Sequence, residues 1–448
     1  MFPALVLLCQ VATTQSAPAS APAPAPPAFA VIAPAAFVPA LQEFRAHKDR
    51  TLPTELVPLE TILATTAGAD DPERLKRFLF VQWRDHGLRY ALLVGDADVM
   101  PVRFMVLDRV TAPAFDTAFY PSDLYYADVA RADGSFDDWN AQHEGWHAGY
   151  FGEVHGEHHK DGPINFDQID YRPELAVGRW PVSTVAEVEQ VARRTLLWEA
   201  QPDPAPTAGL VASAGWVDAR ALLDELAGQL PAGWRAERRF YGAAPPPDEA
   251  QVMALLRGGV RLLCHVGHGE ADRWDGCLSL RALDQLPAQA RPGVLFSAGC
   301  TTARLCTLPP YEAYVDVAGV SHRGTNAGEV FTSPPPPPAP YQRGPHNPTS
   351  LGEQCLRRAT GAVGYIGCDT GAQPCALTLL AGFVGALRGS PTGRLGDLWV
   401  AALRHYWQAE RLGELRPTAD WYPPAVFFQG MKFLLFGDPT LVLRAPAR

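Results

Sequence analysis

A histidine and a cysteine each follow a short apolar segment of this sequence. The stretch Leu262–Gly269 leads to His268, and Val294–Cys300 ends on Cys300. Short apolar runs closed by glycine are typical of buried strands in a parallel sheet. Because parallel strands present their carboxyl ends along one edge, where ligands bind, we expect the two side chains to meet there. A thiol beside a proton-transferring imidazole is the pair that a cysteine hydrolase needs.

A second histidine, His265, competes with His268 for this role. The two are three residues apart, so on an extended strand they face opposite sides of the sheet. Only His268 is flanked by glycines at the end of the segment. We therefore predict that His265 is a core or cleft-wall residue.

Other segments place this pair in a known order. Gly-His-Gly is followed by Trp274 and, after about thirty residues, by the strand that ends in Cys300. This order resembles the clan of caspases, legumains and gingipains. The stretches Tyr90–Pro101, Glu174–Val182 and Phe436–Leu443 resemble, in turn, an early strand, a "VGR-P" strand and a closing "FGDP" strand of gingipain-like peptidases. From about residue 90 to 443 the chain is similar to peptidase family C25.

The resemblance implies an α/β fold: two side-by-side α/β subdomains with mostly parallel sheets, the second a caspase-like catalytic subdomain. It implies that Cys300 is the nucleophile and His268 the general acid/base. The backbone amides of Gly269 and Cys300 would form the oxyanion hole, since such holes are built from preorganised donors. Protein or peptide substrates would be cleaved without a required cofactor.

Composition shifts predict the organisation of the chain. Residues 1–16 read as a signal peptide and 17–36 as an Ala/Pro-rich linker. Residues 37–205 would form the N-terminal α/β subdomain and 206–448 the catalytic one, with a Pro-rich insertion at 307–348. Alternating periodicities predict helices near 72–87, 185–199, 219–230, 249–256 and 351–360, and strands near 90–94, 175–177, 210–213 and 361–367.

The charge and hydropathy of the chain limit the kinds of partner that are expected. The formal net charge of −10 argues against nucleic acid. No apolar run approaches the roughly 18–20 residues of a transmembrane helix. With the predicted signal peptide, the protein is expected to be secreted or to lie in the cell envelope or periplasm. Seven cysteines remain after Cys9, and this odd count fits one free thiol, Cys300, beside up to three disulfides, or seven reduced thiols.

The sequence departs from the gingipain pattern near the histidine. Gingipains carry an acidic residue after the strand that corresponds to 210–213, and here that turn reads Ala214-Gly215-Trp216. The turn after Cys300 is also unusual. A pocket for a basic P1 side chain needs a carboxylate, and Asp218 and Asp369 are the candidates, with Trp274 as a further substrate-binding residue. Basic P1 specificity would make Arg323-Gly324 and Arg343-Gly344 self-processing sites.

Two metal hypotheses compete with the thiol chemistry. His143, Glu144 and His147 fit the H-E-x-x-H zinc pattern, but glycines interrupt the helix that this pattern requires. Histidines cluster there, so zinc binding stays open. Asp128, Asp133 and Asp137 supply oxygen ligands at short spacing, which suits structural calcium.

The alternative to a cysteine endopeptidase is a catalytically inactive scaffold or binding protein that keeps the gingipain fold. The missing acidic residue beside His268 and the unusual turn after Cys300 favour that alternative. A zinc metallopeptidase that uses His143-Glu144-x-x-His147 is the minor alternative.

Overall fold

The computed structural model describes residues 27–106, 119–139, 165, 169–201, 205–288, 290–332, 335–390, 392–416 and 424–443. Its strands are β1 (Phe29–Ala33), β2 (Thr54–Pro58), β3 (Tyr90–Val94), β4 (Phe104–Val106), β5 (Phe119–Pro121), β6 (Ala176–Trp180), β7 (Thr207–Ala212), β8 (Arg235–Phe240), β9 (Leu262–Val266), β10 (Gly269–Glu270), β11 (Arg273–Trp274), β12 (Leu278–Ser279), β13 (Val294–Ser297), β14 (Tyr314–Val315), β15 (Ser321–His322), β16 (Gly364–Cys368) and β17 (Phe433–Gly437). Its α-helices are α1 (Gln42–Lys48), α2 (Leu59–Thr65), α3 (Asp71–His86), α4 (Leu124–Ala127), α5 (Val185–Glu199), α6 (Arg220–Gln229), α7 (Glu249–Arg257), α8 (Leu280–Leu283), α9 (Leu351–Arg357), α10 (Ala376–Gly389), α11 (Leu395–Ala409) and α12 (Pro424–Gln429).

A ten-stranded sheet runs through the centre of the molecule in the order β2-β1-β3-β6-β17-β16-β13-β9-β7-β8. All neighbouring strands are parallel except β16 and β17. The two predicted subdomains therefore share one sheet, and they meet where β17 lies between β6 and β16. The mostly parallel α/β architecture is confirmed.

Side chains alternate between the two faces of the sheet, and helices cover both. On β3, Ala91 and Leu93 belong to one apolar core, while Leu92 and Val94 belong to the other. This alternation follows from the period of two along a strand. A sheet that is buried on both faces explains why its strands read as continuous apolar runs in the sequence.

Local signals set the ends of the predicted helices. Helix α3 is capped at its start by Asp70, whose side chain accepts the amide of Glu73, and at its end by Gly87, which has a left-handed φ of 73°. Helix α5 begins with a capping box between Thr184 and Glu187. These caps reproduce the predicted helices 72–87 and 185–199 to within a residue.

The predicted linker boundary at residue 36 was wrong. Phe29–Ala33 forms β1, which is fully buried and pairs in parallel with both β2 and β3. The run Phe-Ala-Val-Ile-Ala is apolar enough to fill a central strand, although it follows an Ala/Pro-rich stretch. The predicted signal peptide lies outside the described residues. No helix in the described part of the chain is both long and apolar enough to cross a bilayer.

The Pro-rich insertion is folded where the structure describes it. Strands β14 and β15 pair within it, and His322 lies between Asp316 and Glu329, at 3.1 and 2.9 Å. Burial lowers the pKa of His322, but the two carboxylates outweigh this effect and hold that pKa above its ordinary value. The insertion also bonds to the N-terminal half, since the amide of Gln342 donates to the carbonyl of Ala97 over 3.0 Å. It therefore joins the two halves of the chain.

Candidate functional site

Strands β9 and β13 bring the two candidate catalytic segments together. The strands are parallel neighbours, with His265 opposite Ser297, so both leave the sheet at the same edge. Beyond them the backbones touch: a Cβ added to Gly269 would lie 3.0 Å from the carbonyl oxygen of Cys300. The same Cβ would lie 3.2 Å from the Cα of Gly299. The turn that carries His268 therefore packs directly against the turn that carries Cys300.

His268 is exposed and oriented by a backbone carbonyl. Its Nε2 lies 2.8 Å from the carbonyl oxygen of Gly215. Because a carbonyl can only accept, Nε2 carries a proton in this bond and Nδ1 remains to exchange a proton with a reacting group. Gly215 has a φ of 98°, which favours glycine. This carbonyl stands in the turn where the sequence lacks an acidic residue.

The Cys300 side chain is partly exposed and has backbone neighbours of its own. The amide of Ala372 donates to the sulfur over 3.3 Å. Thr301, the next residue after Cys300, has a left-handed φ of 53° and donates its amide to the carbonyl of Thr370 over 2.7 Å. A non-glycine residue in this region is uncommon, and such conformations cluster at functional turns.

His265 is a core residue, as its spacing predicted. It is fully buried, its Nδ1 lies 3.0 Å from the hydroxyl of Ser297, and its ring stacks on Trp274 at 4.5 Å. Burial lowers the pKa of His265 to about 3, so the ring is neutral. A neutral, stacked histidine with no exposed surface has a packing role, which leaves His268 as the histidine at the edge.

Comparison with known families decides the identity of this fold. The sequence pattern described as peptidase family C25 matches residues 22–444. The chain belongs to peptidase family C25. No curated protein sequence matches it significantly.

Solved structures show the same fold. The Arg-specific cysteine proteinase gingipain R (RgpB) superposes with a TM-score of 0.58 at 14% identity, over 94% of this chain and 79% of that one. The complex of the RgpB pro- and mature domains from Porphyromonas gingivalis gives a TM-score of 0.57 at 14% identity, over 93% and 79%. At this identity the likeness establishes the gingipain-type fold.

In this C25 chain Trp274 is a structural residue. It is fully buried, and its Nε1 donates to the hydroxyl of Tyr365 over 2.9 Å. Its ring is covered by His265. A side chain without exposed surface does not contact a substrate, so the expectation that Trp274 binds substrate is not supported.

Asp218 is exposed and already paired. Both of its carboxylate oxygens accept from Arg220, at 2.8 Å each. These hydrogen bonds hold the pKa of the Asp218 carboxyl well below its usual range. A basic substrate side chain would have to displace Arg220 to use this carboxylate.

Asp369 is buried behind the turn that follows Cys300. Its Oδ1 accepts the amide of Leu305 over 2.8 Å, and the side chain has no exposed surface. Burial raises the pKa of Asp369 to about 8. Next to it, the amide of Ala303 donates to the carbonyl of Cys368 over 3.0 Å. Asp369 therefore supports the turn after Cys300 and does not line an open pocket.

We predict that Asp369→Asn makes stability less dependent on pH. The folded chain keeps a proton on Asp369 up to about pH 8, whereas the unfolded chain releases it near pH 3.9. Wild-type stability should therefore fall as pH rises through this window. Asparagine keeps the acceptor for Leu305 and does not ionise, so its advantage should grow between pH 5 and 8, by at most on the order of 4 kcal/mol.

Urea unfolding at pH 5 and pH 8 checks this prediction through the change in the difference between variant and wild type. Asp218→Asn is the matched control, because Asp218 is exposed and stays ionised across this range. An identical pH slope for wild type and Asp369→Asn would contradict the protonated state of Asp369.

Among the described residues, no group of three His, Cys, Asp or Glu side chains is placed to hold a metal ion. Neither metal hypothesis therefore has an assembled site there. Asp133 is exposed and binds Ser135, whereas Asp128 and Asp137 are buried near Lys76. Burial lowers the pKa of Lys76 to about 8, and its ammonium lies 4.3 Å from the centre of the Tyr125 ring. Structural calcium stays a prediction. His143 and His147 lie outside the described residues.

Two features of the site have no signature in the residue types. The carbonyl of Gly215 and the amide of Ala372 are main-chain groups, and any residue carries them. The glycine in the 214–216 turn was the one available signal, since it allows the positive φ that turns the carbonyl toward His268.

The seven cysteines from Cys264 to Cys375 are all free thiols, so the disulfide alternative was wrong and the cysteine count does not support export.

Proposed function

We propose that this C25 protein is an exported cysteine endopeptidase in which Cys300 and His268 form the catalytic dyad. The observation that carries the proposal is the close packing of the His268 turn on the Cys300 turn, with His268 oriented by the carbonyl of Gly215. This carbonyl does the orienting work for which the sequence lacks a carboxylate. It therefore favours an active enzyme over the inactive scaffold.

The proposed reaction has two steps. Cys300 gives its thiol proton to His268, its sulfur attacks the scissile carbonyl carbon, and the amides of Gly269 and Cys300 stabilise the resulting oxyanion. Within the described part of the chain the amide of Cys300 makes no hydrogen bond, so it is free for this role. His268 gives a proton to the leaving amine as the C–N bond breaks. A water then attacks the thioester and gives a proton to His268, which passes it to the sulfur as the C–S bond breaks and the acid product leaves.

Substrates are proteins or peptides, as family membership implies. A preference for basic P1 side chains stays a prediction: Asp369 is buried, and Asp218 is bound to Arg220. Of the two, Asp218 is the carboxylate that a substrate could reach. Of the proposed self-processing sites, Arg343-Gly344 is exposed, whereas Gly324 is buried. Export rests on the N-terminal segment, and N-terminal sequencing of the mature protein tests it.

A peptide-library digest tests the function. The protein, reduced and folded, is incubated with a broad library before and after treatment with a thiol-alkylating inhibitor, and separately with a zinc chelator. We expect cleavage that stops when one equivalent of inhibitor labels Cys300 and that persists with the chelator. Turnover that only the chelator removes would establish the zinc alternative. Absence of any turnover, with a folded protein and a free Cys300, would establish the inactive scaffold.

A further inference from the structure

The sulfur of Cys300 lies against a loop that the dyad does not include. This loop, residues 370–373, is part of the connection between β16 and α10. The amide of Ala372 donates to the sulfur over 3.3 Å, and the Cys300 thiol donates over a longer 3.8 Å to the carbonyl of Ala372. An N–H donor stabilises a thiolate more than a thiol, because a hydrogen bond to the charged form favours that form.

One buried side chain fixes this loop. The Oε1 of Gln429 accepts the amide of Gln373 over 2.9 Å, directly after Ala372. The Nε2 of Gln429 lies 3.6 Å from the sulfur of Cys368, at the end of β16. Gln429 has no exposed surface, so neither bond is exchanged for water. Gln429 therefore ties Gln373, at the end of the loop, to Cys368, at the end of β16.

The helix that carries Gln429 is itself anchored. The hydroxyl of Tyr406 donates to the carbonyl of Val426 over 2.5 Å, and the hydroxyl of Tyr171 donates to the carbonyl of Phe427. Both tyrosines are fully buried. Gln429 therefore holds the loop from a fixed position and limits how far the amide of Ala372 can move from the sulfur.

We infer that Gln429 is a positioning residue for the nucleophile: it holds the loop so that the amide of Ala372 stabilises the thiolate of Cys300. The inference rests on the proposed function in that the thiolate is the attacking species. The reactivity of the Cys300 sulfur is measured without a substrate, so it is tested apart from peptidase activity. Gln429 does not touch the reacting atoms.

The test is the rate at which iodoacetamide alkylates Cys300 as a function of pH, followed by mass spectrometry of the peptide that contains Cys300. The thiolate displaces iodide and forms the thioether, so the rate follows the thiolate fraction. Gln429→Met keeps the volume and removes both hydrogen bonds. We expect its alkylation curve to move to higher pH by about 0.5–1 unit, because the hydrogen bond from the Ala372 amide to the charged sulfur should be weakened.

Two further variants keep the inference falsifiable if Gln429→Met folds poorly. Ala372→Pro removes the amide proton itself and should move the curve in the same direction, whereas Ala372→Gly keeps the amide and should leave it in place. Gln342→Met is the matched control: Gln342 is equally buried and hydrogen-bonded, but it belongs to the insertion. It should lower the melting temperature and leave the curve unchanged.

Unchanged curves for both Gln429→Met and Ala372→Pro would overturn the inference. A shift of similar size in Gln342→Met would also overturn it, because general loosening would then explain the effect. If the protein shows these shifts but cleaves no peptide, this inference stands and the proposed function is refuted. The two failures are therefore distinguishable.

Discussion

Cys300→Ala should lower kcat/KM for peptide cleavage by roughly 10⁴- to 10⁶-fold, since removing a single member of a catalytic unit has effects of this size. The reason is specific to this chain, since the backbone of Cys300 packs against the turn that carries His268. The partly exposed Cys300 should lose little packing on truncation, so the melting temperature should change by only a few degrees. Steady-state kinetics on the best library substrate, with thermal unfolding beside it, checks both parts.

Cys375→Ala is the control, because Cys375 is the other partly exposed thiol of the described chain and lies at the start of α10. It should keep wild-type kinetics. Activity that survives Cys300→Ala and disappears in Cys375→Ala would reassign the nucleophile. Activity that survives both variants would remove thiol chemistry from the proposal.

Gly269→Ala should reduce kcat by at least about 10²-fold, since a displacement of the reacting groups by 1 Å can have an effect of this size. The new Cβ would lie 2.5 Å from Cγ2 of Thr302 and 3.0 Å from the carbonyl oxygen of Cys300. Contacts this short do not persist, and Thr302 is fully buried. The His268 turn must therefore move away from the Cys300 turn, taking the amide of Gly269 out of the proposed oxyanion hole.

A second substitution tests this explanation. Thr302→Ser removes Cγ2, so the double variant Gly269→Ala, Thr302→Ser should recover part of the lost kcat through a coupling between neighbouring sites. Gly228→Ala in α6 is the control, because an added Cβ there meets nothing within 4 Å. That change should raise stability by about 0.5–1 kcal/mol and leave kcat unchanged. Wild-type kcat in Gly269→Ala would refute the packed arrangement of the two turns.

The sequence by itself determined the parts of the site that depend on local pattern. Apolar runs closed by glycine specified β9 and β13, and the parallel arrangement of such runs placed His268 and Cys300 at one edge. Caps and periodicity located α3 and α5 for the same reason, since the residues that start and stop a helix are its own neighbours. The order of motifs was enough to indicate family C25.

The tertiary structure alone decided what surrounds the pair. Asp369 looked like a substrate carboxylate from its place after a strand, but it is buried, and its Oδ1 accepts the amide of Leu305, which is far away in the sequence. Trp274 is buried because Tyr365 and His265 close over it. The main-chain donors and acceptors around His268 and Cys300 could not be predicted either. Every residue type has an amide and a carbonyl, so only the path of the folded chain shows which of them point at His268 and Cys300.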